Sequence, residues 1–130
     1  MAHLDPALLT ALEAIVGAGR VLTDDDALAR YGCDWTRVYA PQPSGVVLPA
    51  TVGQVQDIVR LVAREQLAIV PSGGRTGLSG GAVAHRGELV LALDYLNAIE
   101  DFNPVDRSVR CGAGVVTEQL QQYALEQGLY

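Results

Sequence analysis

The residues that could do chemistry in this sequence are concentrated in one glycine-rich segment, residues 71–81. It reads PSGGRTGLSGG, so five of its eleven residues are glycine, and Ser72, Thr76 and Ser79 add hydroxyl groups. Glycine permits positive φ and lets a ligand approach the backbone closely. The N–H groups of such a loop can converge on an anion, and hydroxyl groups supply further donors. The segment therefore predicts a binding site for a pyrophosphate.

Two common phosphate-binding loops do not match this segment. The dinucleotide-binding fingerprint G-x-G-x-x-G opens a helix directly after a strand, whereas the apolar run that follows here, residues 89–93, predicts another strand with no helix between. A P-loop requires a lysine, and all nine basic residues of this chain are arginine. A solvent-exposed loop without a ligand remains the alternative.

Composition excludes several other classes of function. The net charge of −6, with arginines scattered along the chain, gives no reason to expect nucleic acid as a partner. The two cysteines, Cys33 and Cys111, lack neighbours at metal-ligand spacing, so we predict free thiols and no metal site. No apolar run reaches the roughly 20 residues of a transmembrane helix, and no secretory signal is present. We therefore expect a cytoplasmic protein.

The hydrophobic spacing predicts alternating helices and strands around the glycine-rich segment. We expect four helices: over 6–16, from a cap at Thr23 to Gly32, from a cap at Thr51 through Val62, and from a cap at Thr117 to Gly128. We expect strands over 46–48, 67–70 and 89–93, and a hairpin formed by 99–102 with 108–111. The strand–helix–strand unit 46–70 implies a parallel pair. The fold class is therefore α+β, a small partly parallel sheet with flanking helices.

Three stretches together resemble the FAD-linked oxidases of the vanillyl-alcohol oxidase type, which contain a PCMH-type FAD-binding domain. They are VVLPAT before a helix, AIVPSGGRTGLSGGA, and DRSVRCGAGV. The stretch YGCDWT, residues 31–36, is similar to the group of glycolate oxidase D-subunit, D-lactate dehydrogenase and D-2-hydroxyglutarate dehydrogenase. The resemblance implies a helical lead-in over 1–44 and the first half of a two-part FAD-binding domain over 45–130, with the second half and a substrate cap domain absent.

The resemblance also implies which residues hold the cofactor. The backbone amides of residues 73–77 would contact the FAD pyrophosphate, and Pro49 would line the adenine side. The implied set is Pro49, Pro71, Ser72, Gly73, Gly74, Arg75, Thr76, Gly77, Ser79, Gly80 and Gly81. Relatives that bind FAD covalently have a histidine at the position of Arg75, so noncovalent FAD is expected here. For the Arg75 guanidinium two alternatives stay open, pairing with a phosphate or facing solvent.

Other polar or aromatic residues have a structural alternative beside a functional one. Asp34 and Trp35 would border the flavin or substrate entrance, or Trp35 would pack in the interior. His85 is expected at the surface rather than in proton transfer, and Asp94 in a polar contact at a strand end. Gly112 and Gly114 would give backbone room near the cofactor or form a tight turn.

By this resemblance the complete protein is an FAD-dependent dehydrogenase or oxidase of a D-2-hydroxy acid such as D-lactate, glycolate or D-2-hydroxyglutarate, and passes electrons to an acceptor. The substrate-binding and base residues of that family lie in a later domain, so no catalytic residue is expected in this chain, and the chain alone is expected to be inactive. Two alternatives remain: a nucleotide-binding module without catalysis, and a module that associates with a copy of itself.

Overall fold

The computed structural model describes residues 4–129. In chain order, the elements of this part are α1 (Pro6–Val16), β1 (Val21–Leu22), α2 (Asp25–Tyr31), β2 (Gly45–Val47), α3 (Val52–Arg64), β3 (Ile69–Ser72), β4 (Leu89–Ala92), β5 (Ile99–Asn103), β6 (Ser108–Cys111) and α4 (Thr117–Glu126). This mixed arrangement of helices and strands confirms the predicted fold class. The short strand β1 was not predicted, because two residues are too few to show a period in the sequence.

The main sheet has the strand order β1-β2-β4-β3. Strand β4 pairs in parallel with both β2 and β3, and β1 pairs antiparallel with β2. The prediction that β2 and β3 form a pair is therefore wrong, although both belong to the same sheet. All four residues of β4 are buried, which suits the centre, whereas β3 contains Pro71, which cannot donate a ladder hydrogen bond and suits an edge.

The two faces of this sheet are covered by different helices. Val47, Leu89 and Leu91 point to the face on which α1 and α3 pack, where Leu12 and Ile58 are fully buried. The intervening residues Val46 and Val90 point to the opposite face, which packs against Leu28 and Tyr31 of α2. Successive residues of a strand alternate between faces, so burial on both sides requires the uninterrupted apolar runs that the sequence shows.

Two of the predicted helix starts are confirmed and two are shifted. Asp5 accepts a hydrogen bond from the Ala7 amide (2.9 Å) at the start of α1, and Thr51 accepts one from the Gln54 amide (3.2 Å) at the start of α3. The cap of α2 is Asp24, which accepts from the Ala27 amide (2.9 Å), rather than Thr23. Thr117 is the first residue of α4 rather than its cap.

Strands β5 and β6 form the predicted antiparallel hairpin. The Asn103 side chain accepts hydrogen bonds from the amides of Val105 (2.9 Å) and Asp106 (3.1 Å), which fixes the turn between the two strands. Helix α4 follows the hairpin, and the ring of Tyr123 meets Phe102 edge to face with 6.1 Å between centroids. No residue of α4 is fully buried, so its predicted inner side is only partly covered.

Gly112 and Gly114, which follow β6, pack against the connection between β4 and β5. Their amides donate to the carbonyls of Ala98 and Leu96, each at 2.9 Å. A Cβ atom at Gly112 would collide with the carbonyl oxygen of Leu96, and one at Gly114 with that of Leu93. The space left by the missing side chains of both glycines is therefore taken up by the protein's own backbone.

A buried carboxylate joins the segment after α2 to the glycine-rich segment. Asp34 is 3% exposed, and it accepts hydrogen bonds from the Thr36 hydroxyl (2.6 Å), the Thr36 amide (3.0 Å) and the Gly80 amide (3.0 Å). The Thr36 hydroxyl, followed by the amides, lowers the pKa of Asp34, although burial opposes the shift. The neighbouring Trp35 amide donates to the Gly77 carbonyl (3.3 Å), but the Trp35 side chain is 70% exposed, so the interior packing considered for it is wrong.

Gly114→Ala should lower the free energy of unfolding by about 2 kcal/mol, because the added methyl group must displace the backbone at Leu93. Gly53→Ala is the matched control, since its Cβ would meet only the Thr51 hydroxyl oxygen at 3.8 Å, and alanine in a helix should raise stability by up to about 1 kcal/mol. Urea denaturation of the chain measures both. Equal effects of the two substitutions would contradict the close approach at Gly114.

Asp34→Asn should destabilise the chain at neutral pH, because an amide accepts less strongly than a carboxylate and places an NH₂ group near donors. The folded pKa of Asp34 is lowered, so its contribution is fully present above the ordinary value of 3.8 and is lost as the pH falls through the depressed pKa. The difference in free energy of unfolding between wild type and variant should therefore shrink as the pH falls below 3.8. Denaturation curves over a series of pH values check this, and a constant difference would contradict it.

Candidate functional site

A groove of about 600 Å³ lies between the glycine-rich segment and the start of α4. Strand β3 ends at Ser72, and the next residue, Gly73, is the first residue of the chain that lines the groove. The residues that line it are Gly73, Gly74, Arg75, Thr76, Asp94, Asn97, Ala113, Gly114, Val115, Val116, Thr117 and Gln119. The structure thus brings together four of the residues predicted to hold the cofactor with the start of a helix that was not assigned to the site.

The backbone of the glycine-rich segment has free donors at this groove. Within residues 4–129, none of the amides of residues 73–77 donates to a protein acceptor, whereas the Gly80 amide is held by Asp34. Only Arg75 (φ 57°) and Gly80 (φ 77°) of this segment have positive φ. The other four glycines of the segment therefore do not use the positive φ that glycine permits.

Open space at these glycines gives a different reason for them. A Cβ atom at Gly73, Gly77 or Gly81 would meet no protein atom within 4 Å, and one at Gly74 would meet only the Thr76 hydroxyl oxygen at 3.8 Å. Neither φ nor packing in the described part of the chain requires glycine at these positions. An external molecule that touches the backbone would require it.

Arg75 neither faces solvent nor projects as a free cation. Its two terminal nitrogens pair with the two carboxylate oxygens of Asp94 at 3.2 and 3.4 Å, and one of them also donates to the Ser72 hydroxyl at 3.3 Å. The guanidinium carbon lies 4.6 Å from the centre of the Tyr31 ring. The predicted polar contact of Asp94 at a strand end is confirmed, and its partner is Arg75.

The start of α4 forms the opposite wall of the groove. The first amides of a helix have no acceptor within the helix, and the helix dipole places partial positive charge there. The Val116 amide donates to the Gln119 side chain at 3.3 Å, and the amides of Thr117 and Glu118 have no acceptor within residues 4–129. Arg75 and Asp94 are the ionisable residues among those that line the groove, and they neutralise each other. The groove therefore favours an anion through amides rather than through a charged side chain.

The remaining predicted site residues lie outside this groove. Pro49 is fully buried, Pro71 is exposed on the edge strand, and Ser72 is fully buried with its hydroxyl accepting from Arg75. Gly77, Ser79 and Gly81 are exposed further along the segment and Gly80 is half-buried, so the structure places them next to the groove rather than in its lining. Of the groove residues at the start of α4, Ala113, Gly114 and Val115 belong to the motif DRSVRCGAGV, whereas Val116, Thr117 and Gln119 lie beyond it. A helix that begins directly after two glycines is the sequence signal that could have predicted this second wall.

His85 lies away from the groove and is half-buried, stacked on Tyr39 with 5.1 Å between ring centroids. Over residues 4–129, no three His, Cys, Asp or Glu side chains come close enough to hold a metal ion. None of the helices in this part of the chain is long and apolar enough to cross a membrane.

This chain is similar to proteins of known name and structure. Two relatives named D-2-hydroxyglutarate dehydrogenase, from Stutzerimonas stutzeri and Xanthomonas citri pv. viticola, are 54% and 50% identical over 97% and 96% of this chain. The chain spans only 27% and 26% of their lengths. The solved structure of p-cresol methylhydroxylase with substrate bound superimposes on 95% of the chain and 25% of its own, with a TM-score of 0.79 and 26% identity.

The family model described as FAD binding domain matches residues 43–130, which include β2, β3, β4, the glycine-rich segment and the groove. The resemblance read from the sequence motifs is confirmed by this match and by the relatives. The chain belongs to the FAD binding domain family.

Proposed function

We propose that the groove binds the pyrophosphate of FAD. The observation that carries this proposal is the combination of free amides and unexplained glycines in residues 73–77. Amides that point into a groove without acceptors are stabilised by an anion, and glycines with open space around them permit its close approach. The start of α4 offers further amides from the other side.

The cofactor-binding set comes from the family resemblance together with the groove. Gly73, Gly74, Arg75 and Thr76 contribute backbone amides, and the exposed Thr76 hydroxyl is a further donor within reach of the groove. In this proposal Gly77, Ser79, Gly80 and Gly81, which follow the lining residues in the segment, and Pro71, which precedes them, border the site from outside the lining. Pro49 and Ser72 support the site from the interior, since both are fully buried. Bound FAD supplies a ring system that accepts hydride.

We infer that the complete flavoprotein is a dehydrogenase or oxidase of a D-2-hydroxy acid. This rests on the two relatives named D-2-hydroxyglutarate dehydrogenase, of whose lengths this chain spans 27% and 26%. The part played by this chain is to bind and orient FAD. Other parts of the protein supply the residues that bind the hydroxy acid, the general base that takes its hydroxyl proton, and the site for the electron acceptor. Location in the cytoplasm stays a prediction.

Self-association of the chain also stays a prediction. The surface that it would cover is an exposed sheet edge with an apolar face. An apolar groove of about 470 Å³ lies beside α4 and is lined by Leu120, Gln121, Ala124, Leu125 and Leu129. The division into a lead-in over 1–44 and a first half-domain over 45–130 is likewise a proposal, supported by a family match that begins at residue 43.

Gly74→Val and Gly77→Val in the complete flavoprotein should weaken FAD binding by about a hundredfold or more, because a branched side chain would occupy the space of the phosphates. Stability of the protein without FAD should change little, since no protein atom is displaced at Gly77. Gly53→Val, on the exposed side of α3, is the matched control and should leave FAD affinity unchanged. Titration followed by flavin fluorescence measures these affinities, and variants that retain FAD at wild-type stoichiometry would overturn the assignment.

Acid precipitation of the flavoprotein should release all FAD into the supernatant. Arginine at position 75 cannot form the covalent link that a histidine forms in flavinylated relatives, and its side chain is engaged by Asp94. Absorbance spectra of the supernatant and of the redissolved pellet show whether FAD was bound noncovalently or covalently. Flavin that stays with the precipitated protein would show a covalent bond.

A further inference from the structure

The side chain of Arg75 is held by three different contacts behind the groove. Asp94 pairs with both terminal nitrogens, Ser72 accepts from one of them, and the ring of Tyr31 lies under the guanidinium. The side chains of Arg75 and Asp94 are 18% and 31% exposed, and Tyr31 is 8% exposed. This is more complete anchoring than that of the ion pairs Arg60–Asp57 and Arg64–Glu65, in which every side chain is at least 45% exposed.

These anchors come from elements on both sides of the loop. Tyr31 ends α2, Ser72 ends β3, and Asp94 follows β4 after Leu93, whose amide donates to the Ser72 carbonyl at 3.0 Å. A single side chain thus ties the glycine-rich segment to a helix and to two neighbouring strands. Such a link restrains the backbone on both sides of Arg75, where the free amides lie.

The backbone of Arg75 itself needs a restraint. Its φ of 57° is in the left-handed region, which residues other than glycine adopt infrequently. Glycine would enter this conformation without strain but has no side chain to anchor. The anchored side chain therefore explains how a residue other than glycine can keep this turn in the wall of the groove.

We propose that Arg75 and Asp94 are positioning residues, whose ion pair over Tyr31 holds the amides of residues 73–77 in the arrangement that binds a pyrophosphate. The guanidinium itself does not bind the phosphates. This proposal rests on the proposed function, because the pyrophosphate is that of FAD.

A direct role of Arg75 as phosphate ligand predicts the opposite effect of one substitution. If the guanidinium bound a phosphate, Asp94 would compete for it and would repel the anion, so that Asp94→Asn would leave FAD binding unchanged or tighter. If the ion pair positions the loop, the same substitution removes the anchor and weakens binding. Asp94 is therefore the residue that separates the two roles.

The test uses the complete flavoprotein with Arg75→Gln, Asp94→Asn and the double variant, titrated with FAD and with riboflavin, which has no phosphate. We expect each single variant to bind FAD about tenfold more weakly, and the double variant to be no weaker than the singles, because all three lack the same ion pair. The affinity for riboflavin should be the same in all variants. A general loss of structure would lower it, so this control separates misfolding from a specific loss of pyrophosphate binding. Arg60→Gln, which removes an exposed arginine of α3, should match wild type. Tighter or unchanged FAD binding in Asp94→Asn would overturn the proposal.

A second measurement does not depend on FAD. Trypsin cleaves after an accessible, mobile arginine, so cleavage after Arg75 in the protein without FAD should be several-fold faster in Asp94→Asn than in wild type. Cleavage after the exposed Arg107 is the internal control and should not change. If wild type fails to bind FAD, the proposed function falls, while this rate still decides whether the ion pair restrains the loop. Equal cleavage rates after Arg75 would overturn the positioning role.

Discussion

The groove depends on backbone amides that are left without protein acceptors and are nevertheless held in place. Most loops satisfy their amides with side chains, turns or water, and a glycine-rich loop has little intrinsic stiffness. Here the restraint comes from outside the segment. The ladder of β3 with β4 fixes its beginning, the Asp34 carboxylate fixes Gly80 near its end, and the ion pair of Arg75 with Asp94 fixes its middle. The rest of the described structure positions these three attachments.

This arrangement explains why, among the described residues 4–129, no unpaired cation lines the groove. A lysine or unpaired arginine would attract phosphate from a distance, but it would also attract other anions and would be screened by salt. Amides and a helix start act only at hydrogen-bonding distance, and they select by shape. The net charge of −6 is compatible with an anionic ligand for the same reason, because the binding groups are dipoles fixed by the fold.

Patterns that depend on neighbouring residues could be predicted from the sequence. The helix over Pro6–Val16, the cap at Thr51, the hairpin turn at Asn103 and the glycine-rich segment are of this kind. Contacts between distant residues could not. The insertion of β4 between β2 and β3 depends on which strand is most apolar on both faces, and the pairing of Arg75 with Asp94 spans 19 positions. In the sequence, Gly112 and Gly114 resemble the closely spaced glycines of a ligand-binding loop. Only the positions of the Leu96 and Leu93 carbonyls show that these glycines allow two backbone segments to pack closely.

The contact between Asp34 and Gly80 separates two ways of dividing the chain. The family match begins at residue 43, yet the carboxylate that restrains the glycine-rich segment lies before it, and strand β1, also before it, lengthens the sheet through β2. The family model therefore matches a shorter unit than the one that these contacts hold together, whereas the two relatives align over 97% and 96% of the chain and so include the segment before residue 43. A change in the segment before residue 43 can therefore alter how firmly the glycine-rich segment is held, through Asp34, without altering any residue that the family model matches.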